Sequence, residues 1–468
     1  MTSSQSVDLH APIPLSARLL LGRANSLALS SSLHDQALAK DLFMQVLAIA
    51  SDNLDAWVNL GILLFETGYT LAAITAFSAA AHHHPEDARV RAYLGNALLY
   101  KNDLEAARIH FDIALKFDPG SFHAHQGLAS ICRRLGNDQE SAMHRHLGFK
   151  DHAVSILPAY AQTTPLRLLV LASAHEGNIP WRLLIDRSAF HSTMIAVEYF
   201  EEHLPPHDLV FNAIGDADLC REALEKSVSL LNASTAPVIN RPEAVLLSGR
   251  ISNSTRLADL PGVLSPAMHL AARRDYANAA FMHSFPFLLR SPGYHGGSHF
   301  FRIDDQDALL TALEELPGEE LLHIEYLDYR SPDGLFRKYR AMSINGSLYP
   351  VHLAISRNWN VHYFSSDMER NASYRDEEAS FLNGFERHLG AKIISALENI
   401  QLALGLDYCG IDFGIDVYGR VILFEANPTM LINPPAHEEK WDYRRDAISK
   451  ALSATRNMLF ERAALSRR

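Results

Sequence analysis

At 468 residues the chain is long enough for about two or three domains, each with a core of its own. Its 48% hydrophobic and 21% charged residues describe a globular protein, and a formal net charge of −12 argues against non-specific binding to nucleic acid, which needs a basic face. Cys132, Cys220 and Cys409 are far apart and odd in number, so neither a disulfide framework nor a zinc spacing is present, which fits a reducing cytosol. The start Met-Thr-Ser-Ser-Gln-Ser-Val-Asp has no basic region leading into a long apolar core, Leu19-Leu20-Leu21 is too short to be one, and no run reaches membrane-spanning length. These features predict a cytoplasmic protein without a membrane anchor.

The N-terminal third repeats itself every 34 residues: Leu60-Gly61 recurs as Leu94-Gly95, Ala73 as Ala107, Phe77 as Phe111, Ala80 as Ala114, and Pro85 as Pro119. Trp57 and Leu64 complete the first unit, Ala39 and Phe43 hold the phase one period earlier, and Leu128 one period later. Small Gly61 and Ala73 permit close helix contact, Phe77 fills the gap to the next unit, and proline ends the second helix. Period and residue types resemble the tetratricopeptide repeat (TPR), a helix–turn–helix unit, and imply an all-α solenoid over residues 15–150. Such arrays expose a concave surface that binds a peptide or protein segment; an intramolecular or dimer-forming surface is the alternative. His82-His83-His84 falls before Pro85, where successive helical side chains diverge, so a solvated helix C-terminus is favoured over a metal site.

After a short linker around residues 158–165, residues 166–173, 208–216 and 237–240 read as apolar strands of a parallel sheet, with a helix over 219–231. Residues at the C-terminal ends of parallel strands face ligands. Asn212, Gly215 and Asp216, with Ser173, His175, Glu176, Gly177 and Asn178, qualify as substrate contacts, or as loop caps. Residues 240–250 end at Arg250. Residues 285–290 form an apolar strand ending in Arg290, followed by Gly296-Gly297-Ser298, where adjacent glycines let backbone N–H groups cradle anionic oxygens beside a cation. Residues 321–328, with Glu325 and Leu327, are followed by an alternating strand over 337–344. Next comes a His/Arg/Trp-rich pair of strands over 350–364, carrying His352, Arg357 and His362. A specialised acceptor pocket, with imidazoles that orient or deprotonate a nucleophile, is one reading of it, and histidines hydrogen-bonding across a sheet the other. The basic residues from Arg444 to Arg468 read as a solvated face of a C-terminal helix.

The most informative segment comes last. Ile411, Phe413, Ile415 and Val417 alternate, Tyr418-Gly419 turns, and an apolar run leads into Glu425-Ala426-Asn427. Residues 425 and 427 share a strand face, and the hairpin brings Asp412, Glu425 and Asn427 to one end of a sheet. Two carboxylates and an amide oxygen are hard ligands, suited to Mg2+ that also holds polyphosphate oxygens.

An apolar strand ending in Glu-x-Asn-Pro, preceded by an Asp-bearing strand, resembles the magnesium-binding end of the ATP-grasp superfamily, which includes glutathione synthetase, D-alanine–D-alanine ligase and the ribosomal-protein glutamate ligases. The resemblance implies an α/β (α+β) ATP-grasp fold over residues 244–465, preceded by a small α/β domain over 165–243. It implies Asp412, Glu425 and Asn427 as metal ligands, and Arg250, Arg290, Gly296, Gly297 and Ser298 at the ATP phosphates. Leu327 would belong to the hinge that reads adenine and Glu325 would bind ribose, unless Glu325 is a solvent-facing carboxylate on an edge strand. Arg340 would grip the transferred phosphate. Arginine replaces the family's usual lysine at 250 and 290, which keeps the charge and alters the geometry, and a glycine pair is missing between Gly346 and Gly384.

The activity implied is an ADP-forming carboxylate–amine ligation through an acyl phosphate, with the solenoid presenting a peptide or protein that carries one reacting group. A nucleotide-binding TPR adaptor without turnover and a phosphotransferase on the same fold are the alternatives. The sequence leaves the oligomeric state open, and homodimers are frequent among such ligases.

Overall fold

A computed structural model describes residues 14–30, 33–159, 165–276, 284–294, 299–363, 366–435 and 438–465. The chain divides into two compact units, one of Met1–Pro165 with Asp186–His191 and one of Leu166–Ile185 with Ser192–Arg468. The expected segments 165–243 and 244–465 thus fall in the second unit except for Pro165 and Asp186–His191, which belong to the first.

The first unit is helical: α1 (Leu15–Ala28), α2 (Leu33–Ile49), α3 (Leu54–Glu66), α4 (Thr70–His83), α5 (Ala88–Tyr100), α6 (Leu104–Phe117), α7 (Phe122–Arg134) and α8 (Asp138–Phe149). Consecutive helices pack as hairpins. Polar residues open three of them: Asn53 accepts from Ala56 N at 2.8 Å, Asp87 from Arg89 N at 2.9 Å, and Asp103 from Ala106 N at 3.1 Å. The period has a steric cause. A Cβ on Gly61 would lie 2.4 Å from the Phe77 ring, and one on Gly95 2.7 Å from the Phe111 ring. Each glycine leaves room for the aromatic residue of the next helix. Between repeats, Asn59 Nδ2 donates to Asn25 Oδ1, one period away, at 2.9 Å. A short strand, β1 (Val154–Leu157), follows.

The second unit is mixed α/β. Strands β2 (Leu166–Ala172), β3 (Phe190–Ala196), β4 (Leu209–Asn212) and β5 (Val238–Ile239) lie in the order β3-β2-β4-β5, with β2, β4 and β5 parallel. The buried run Leu168–Leu171 explains the apolar sequence of β2. Helices α9 (Arg221–Leu231), α10 (Pro242–Leu246) and α11 (Arg250–Arg256) precede β6 (Val263–Leu264).

A four-stranded antiparallel sheet follows, built from β7 (Met268–Ala272), β8 (Phe287–Arg290), β9 (Phe300–Ile303) and β10 (Glu320–Glu325), with α12 (Arg273–Tyr276) and α13 (Gln306–Glu315). Its order is β7-β10-β8-β9, so β10 is an inner strand and Glu325 does not lie on an edge, correcting that alternative. Leu309 and Ala312 of α13 pack with Phe287 and Leu289 of β8 in one core.

The last sheet has the order β12-β11-β13-β14-β6, with β11 (Phe336–Ile344), β12 (Ser347–Ser356), β13 (Tyr408–Ile415) and β14 (Val421–Asn427). Between them in the chain come α14 (Ala372–Asn383), α15 (Phe385–Leu389) and α16 (Ala391–Leu404), and α17 (Arg445–Leu465) closes the chain. The expected strand pair over 350–364 is a single strand: β12 ends at Ser356, and the described residues beyond it carry no strand. Arg444 departs from the solvated face expected of it. It is 7% exposed, with Nε 3.4 Å from the buried Glu378 carboxylate.

Candidate functional site

The register of the last sheet decides which side chains meet. His352 on β12 is opposite Arg340 on β11, Arg340 is opposite Asp412 on β13, and Asp412 is opposite Glu425 on β14. Directly opposed residues share a face, so four adjacent strands carry a row of polar groups across one sheet. The register shifts after Arg340 and after Asp412, where bulges interrupt the ladders.

Asp412 is the centre of the row. Arg340 holds it in a fork, Nε to Oδ1 at 2.6 Å and Nη2 to Oδ2 at 2.8 Å, and Lys338 Nζ lies 2.8 Å from Oδ2. Lys338 is two residues from Arg340 on the same strand and therefore on the same face. Burial alone would push the Asp412 carboxyl up, but the charges of Arg340 and Lys338 outweigh it and hold the group far below the usual carboxylate range. Arg337, one residue out of phase, pairs instead with Glu377 at 2.6 Å and Asp333 at 2.8 Å.

Glu425 has a cation from a different element. Arg250, at the start of α11, places Nη2 2.6 Å from Oε1, and its backbone N donates to Asp218 Oδ2 at 3.1 Å. Burial raises the Glu425 carboxyl, and Arg250, Lys338 and Arg290 together more than compensate, so it too stays below its ordinary value. Arg290, at the end of β8, is pushed down to about 10 by burial and then by the charge of Arg250, and it donates to the Tyr294 carbonyl. Four cations (Arg250, Arg290, Lys338, Arg340) therefore surround the buried Asp412 and the half-buried Glu425, an excess of two positive charges on the sheet side. Asp216 and Asp218 line the same cleft and offset that excess.

The walls of the cleft come from the loop after β4 (Gly215 to Asp218), from Ser248, Gly249 and Arg250, and from Glu425 to Asn427 at the end of β14. Close approach requires the glycines: a Cβ on Gly215 would lie 2.7 Å from Thr429, and one on Gly249 2.3 Å from Asp218. Asn427 sits opposite Gly410, with Oδ1 accepting from Thr429 N at 2.9 Å and Thr429 Oγ1 at 2.7 Å. The three expected metal ligands thus lie at one end of one hairpin, each with at least one hydrogen-bond or ion-pair partner.

The other expected residues scatter. Gly296, Gly297 and Ser298 lie outside the described residues. Glu325 is exposed at the end of β10, where Oε2 accepts from Ala267 N at 3.1 Å. Leu327 packs with Tyr329, Phe336 and Ile422. Arg357 is exposed just past β12. Asn212 corrects the expectation of a substrate contact: it is fully buried, donating to the Asn240 carbonyl at 2.9 Å and accepting from Ile214 N at 3.1 Å, so it braces two strand ends. His362 lies beyond β12, so the two imidazoles do not pair across a sheet. His352 is 8% exposed and lies beside Tyr363, with ring centroids 4.9 Å apart and planes tilted by 47°, and Nδ1 has no hydrogen-bond partner among the described residues. Burial, reinforced by Arg340, lowers it well below its ordinary value, so it is neutral at pH 7 and unsuited to donate a proton there.

Sequence reasoning missed Lys338 as a partner of Asp412, although its two-residue offset from Arg340 carried the signal. It also missed the Glu378 node, where Tyr443 Oη donates at 2.5 Å and Tyr363 Oη at 3.3 Å. Nothing in the spacing of residues 363, 378 and 443 points to it.

Compared with known proteins, residues 58–122 and 95–142 match the model of the tetratricopeptide repeat family. Tetratricopeptide repeat protein 6 of Homo sapiens is 32% identical over 103 residues, which is 21% of this chain, and the chain spans 20% of that protein's length. Among solved structures, MamA from Desulfovibrio magneticus RS-1 is similar at 25% identity, covering 27% of this chain and 71% of that one with a TM-score of 0.25. The O-GlcNAc transferase of Thermobaculum terrenum is similar at 20% identity, covering 44% and 38% with a TM-score of 0.30. The chain therefore carries TPR-type protein-interaction repeats in its N-terminal region, followed by a mixed α/β region, and no helix among the described residues is long and apolar enough to cross a membrane.

Proposed function

We propose that the second unit is an ATP-grasp enzyme, an ADP-forming carboxylate–amine ligase, and that the repeats present a peptide or protein carrying one reacting group. The observation that carries this reading is the row Arg340–Asp412–Glu425–Arg250 with Arg290, in which a buried and a half-buried carboxylate are clamped by cations beside a cleft. Such a cluster stabilises spread negative charge, the main demand of phosphoryl transfer.

The donor set of Asp412, Glu425 and Asn427 is all oxygen, which fits magnesium in kind. Bound Mg2+ would supply charge neutralisation at phosphate oxygens. Asp412 Oδ2 accepts from both Arg340 and Lys338, so a metal on that oxygen would require one of these cations to turn away, whereas Oδ1 accepts from Arg340 alone. Lys338 is the simpler one to release, since it makes a single point contact where Arg340 makes a fork. Arg250 and Arg290 would hold phosphates, and Arg340 would orient the transferred group.

A nucleotide-binding adaptor without turnover is favoured by one observation, the saturation of Asp412 by two cations. Phosphate release separates the two readings. A ligase gives ADP and free phosphate that depend on an added carboxylate and amine and disappear in Glu425→Gln; an adaptor binds nucleotide and releases nothing.

A further inference from the structure

The α7–α8 hairpin brings together three side chains that the sequence spaces too irregularly to suggest a site. Cys132 Sγ, a Glu140 oxygen and a His144 ring nitrogen lie within 4.8 Å of one another. Cys132 comes from α7, and Glu140 and His144 lie one turn apart on α8, so both face the same side. Cys132 is fully buried and His144 is 8% exposed.

The hydrogen bonds around the cluster fix which His144 nitrogen is bare. His125 Nε2 lies 3.1 Å from the Pro119 carbonyl, which can only accept, so His125 carries its proton on Nε2. His125 Nδ1 and His144 Nδ1 face each other at 2.8 Å, and the arrangement in which His144 Nδ1 donates to a bare His125 Nδ1 completes both contacts. His144 Nε2 is left with its lone pair, 4.0 Å from Glu140 Oε1. Arg108 Nη2 steadies the same carboxylate oxygen at 2.9 Å. A ligating imidazole whose other nitrogen is held by a hydrogen bond, and a ligating carboxylate that is itself hydrogen-bonded, are the outer-shell arrangements that metal sites use.

We propose that Cys132, Glu140 and His144 bind one zinc-class divalent cation inside the last repeat hairpin. Sulfur, imidazole and carboxylate together suit zinc, and three protein ligands leave a fourth position for water. Binding forms a metal–thiolate bond and releases the thiol proton to solvent. The ligands join α7 to α8, so the cation ties the final hairpin of the array.

The test uses the full chain, purified metal-free and titrated with cobalt(II). The expected result is one equivalent bound, with a thiolate-to-cobalt charge-transfer band that zinc displaces. The band should vanish in Cys132→Ser and fall in His144→Ala and Glu140→Gln, with helicity checked in each. Replacing His82, His83 and His84 by alanine should leave it unchanged. His125 is a positioning residue, so His125→Ala should retain the band while weakening affinity about 10- to 100-fold. Absence of the band at saturating cobalt, its survival in Cys132→Ser, or its loss with the three exposed histidines would each overturn the proposal.

Discussion

Replacing Asp412 by asparagine tests how much the buried ion pairs contribute to stability. The Asp412 side chain is 1% exposed, and it neutralises Arg340 at 2.6 Å and Lys338 at 2.8 Å. Asparagine keeps the volume, so no cavity forms, but two half-buried cations lose their counter-charge. Removing one partner of a fully buried pair costs about 3–5 kcal/mol, and because both stranded cations keep partial access to solvent the lower part of that range is expected. At a urea slope of about 3 kcal/mol per molar, the transition midpoint should fall by more than about 1 M. Tryptophan fluorescence reads the relevant unit, since Trp181, Trp359 and Trp441 belong to it and Trp57 to the other. Adding Lys338→Met to Asp412→Asn should recover part of the loss. An Asp412→Asn midpoint indistinguishable from the parent's would refute the reasoning. The same pairs set a pH dependence. The folded Asp412 carboxyl is depressed, so its contribution is fully present above the unfolded carboxylate value of about 3.9 and is lost as pH falls below it.

Further outcomes follow from the same packing. Gly127→Ala would place a Cβ 2.2 Å from the Phe111 ring, and the overpacking should cost about 1–3 kcal/mol in thermal melts followed by circular dichroism. Phe111→Ala, at a fully buried position shared by two glycines, should cost about 3–5 kcal/mol in the same assay. All three cysteines are buried and outside any disulfide, and burial pushes the Cys409 thiol up to about 12, so alkylation at pH 8 should label none in the native chain and all three in denaturant. Glu425, with a half-buried side chain and one ion-pair partner, should tolerate glutamine without unfolding, which makes it a cleaner functional probe than Asp412.

Much of the architecture was legible because packing writes itself into the sequence with a period. Gly61, Phe77, Gly95 and Phe111 recur because each glycine faces the next aromatic ring, and that spacing gives the repeat. Asp412, Glu425 and Asn427 were legible as neighbours because strand alternation and one tight turn fix their register. Asn212 was misread because a strand-end asparagine that braces a neighbouring carbonyl has the same sequence signature as one that faces a ligand. The partners of Asp412 were less legible. Register between β11 and β13 is set across 72 residues, and local pattern does not carry it. The Cys132 cluster and the Glu378 node have no periodic signature, since each is assembled by helix packing from irregular spacings.

The central claim is tested most directly by measuring ADP and free phosphate release from the purified chain with ATP and magnesium, against pooled amino acids, peptides and protein extract. Release that requires an added carboxylate and an amine, and falls at least about 100-fold in Glu425→Gln, is the expected result. Tight nucleotide binding with no release under any substrate pool, or release unchanged in Glu425→Gln, would contradict it.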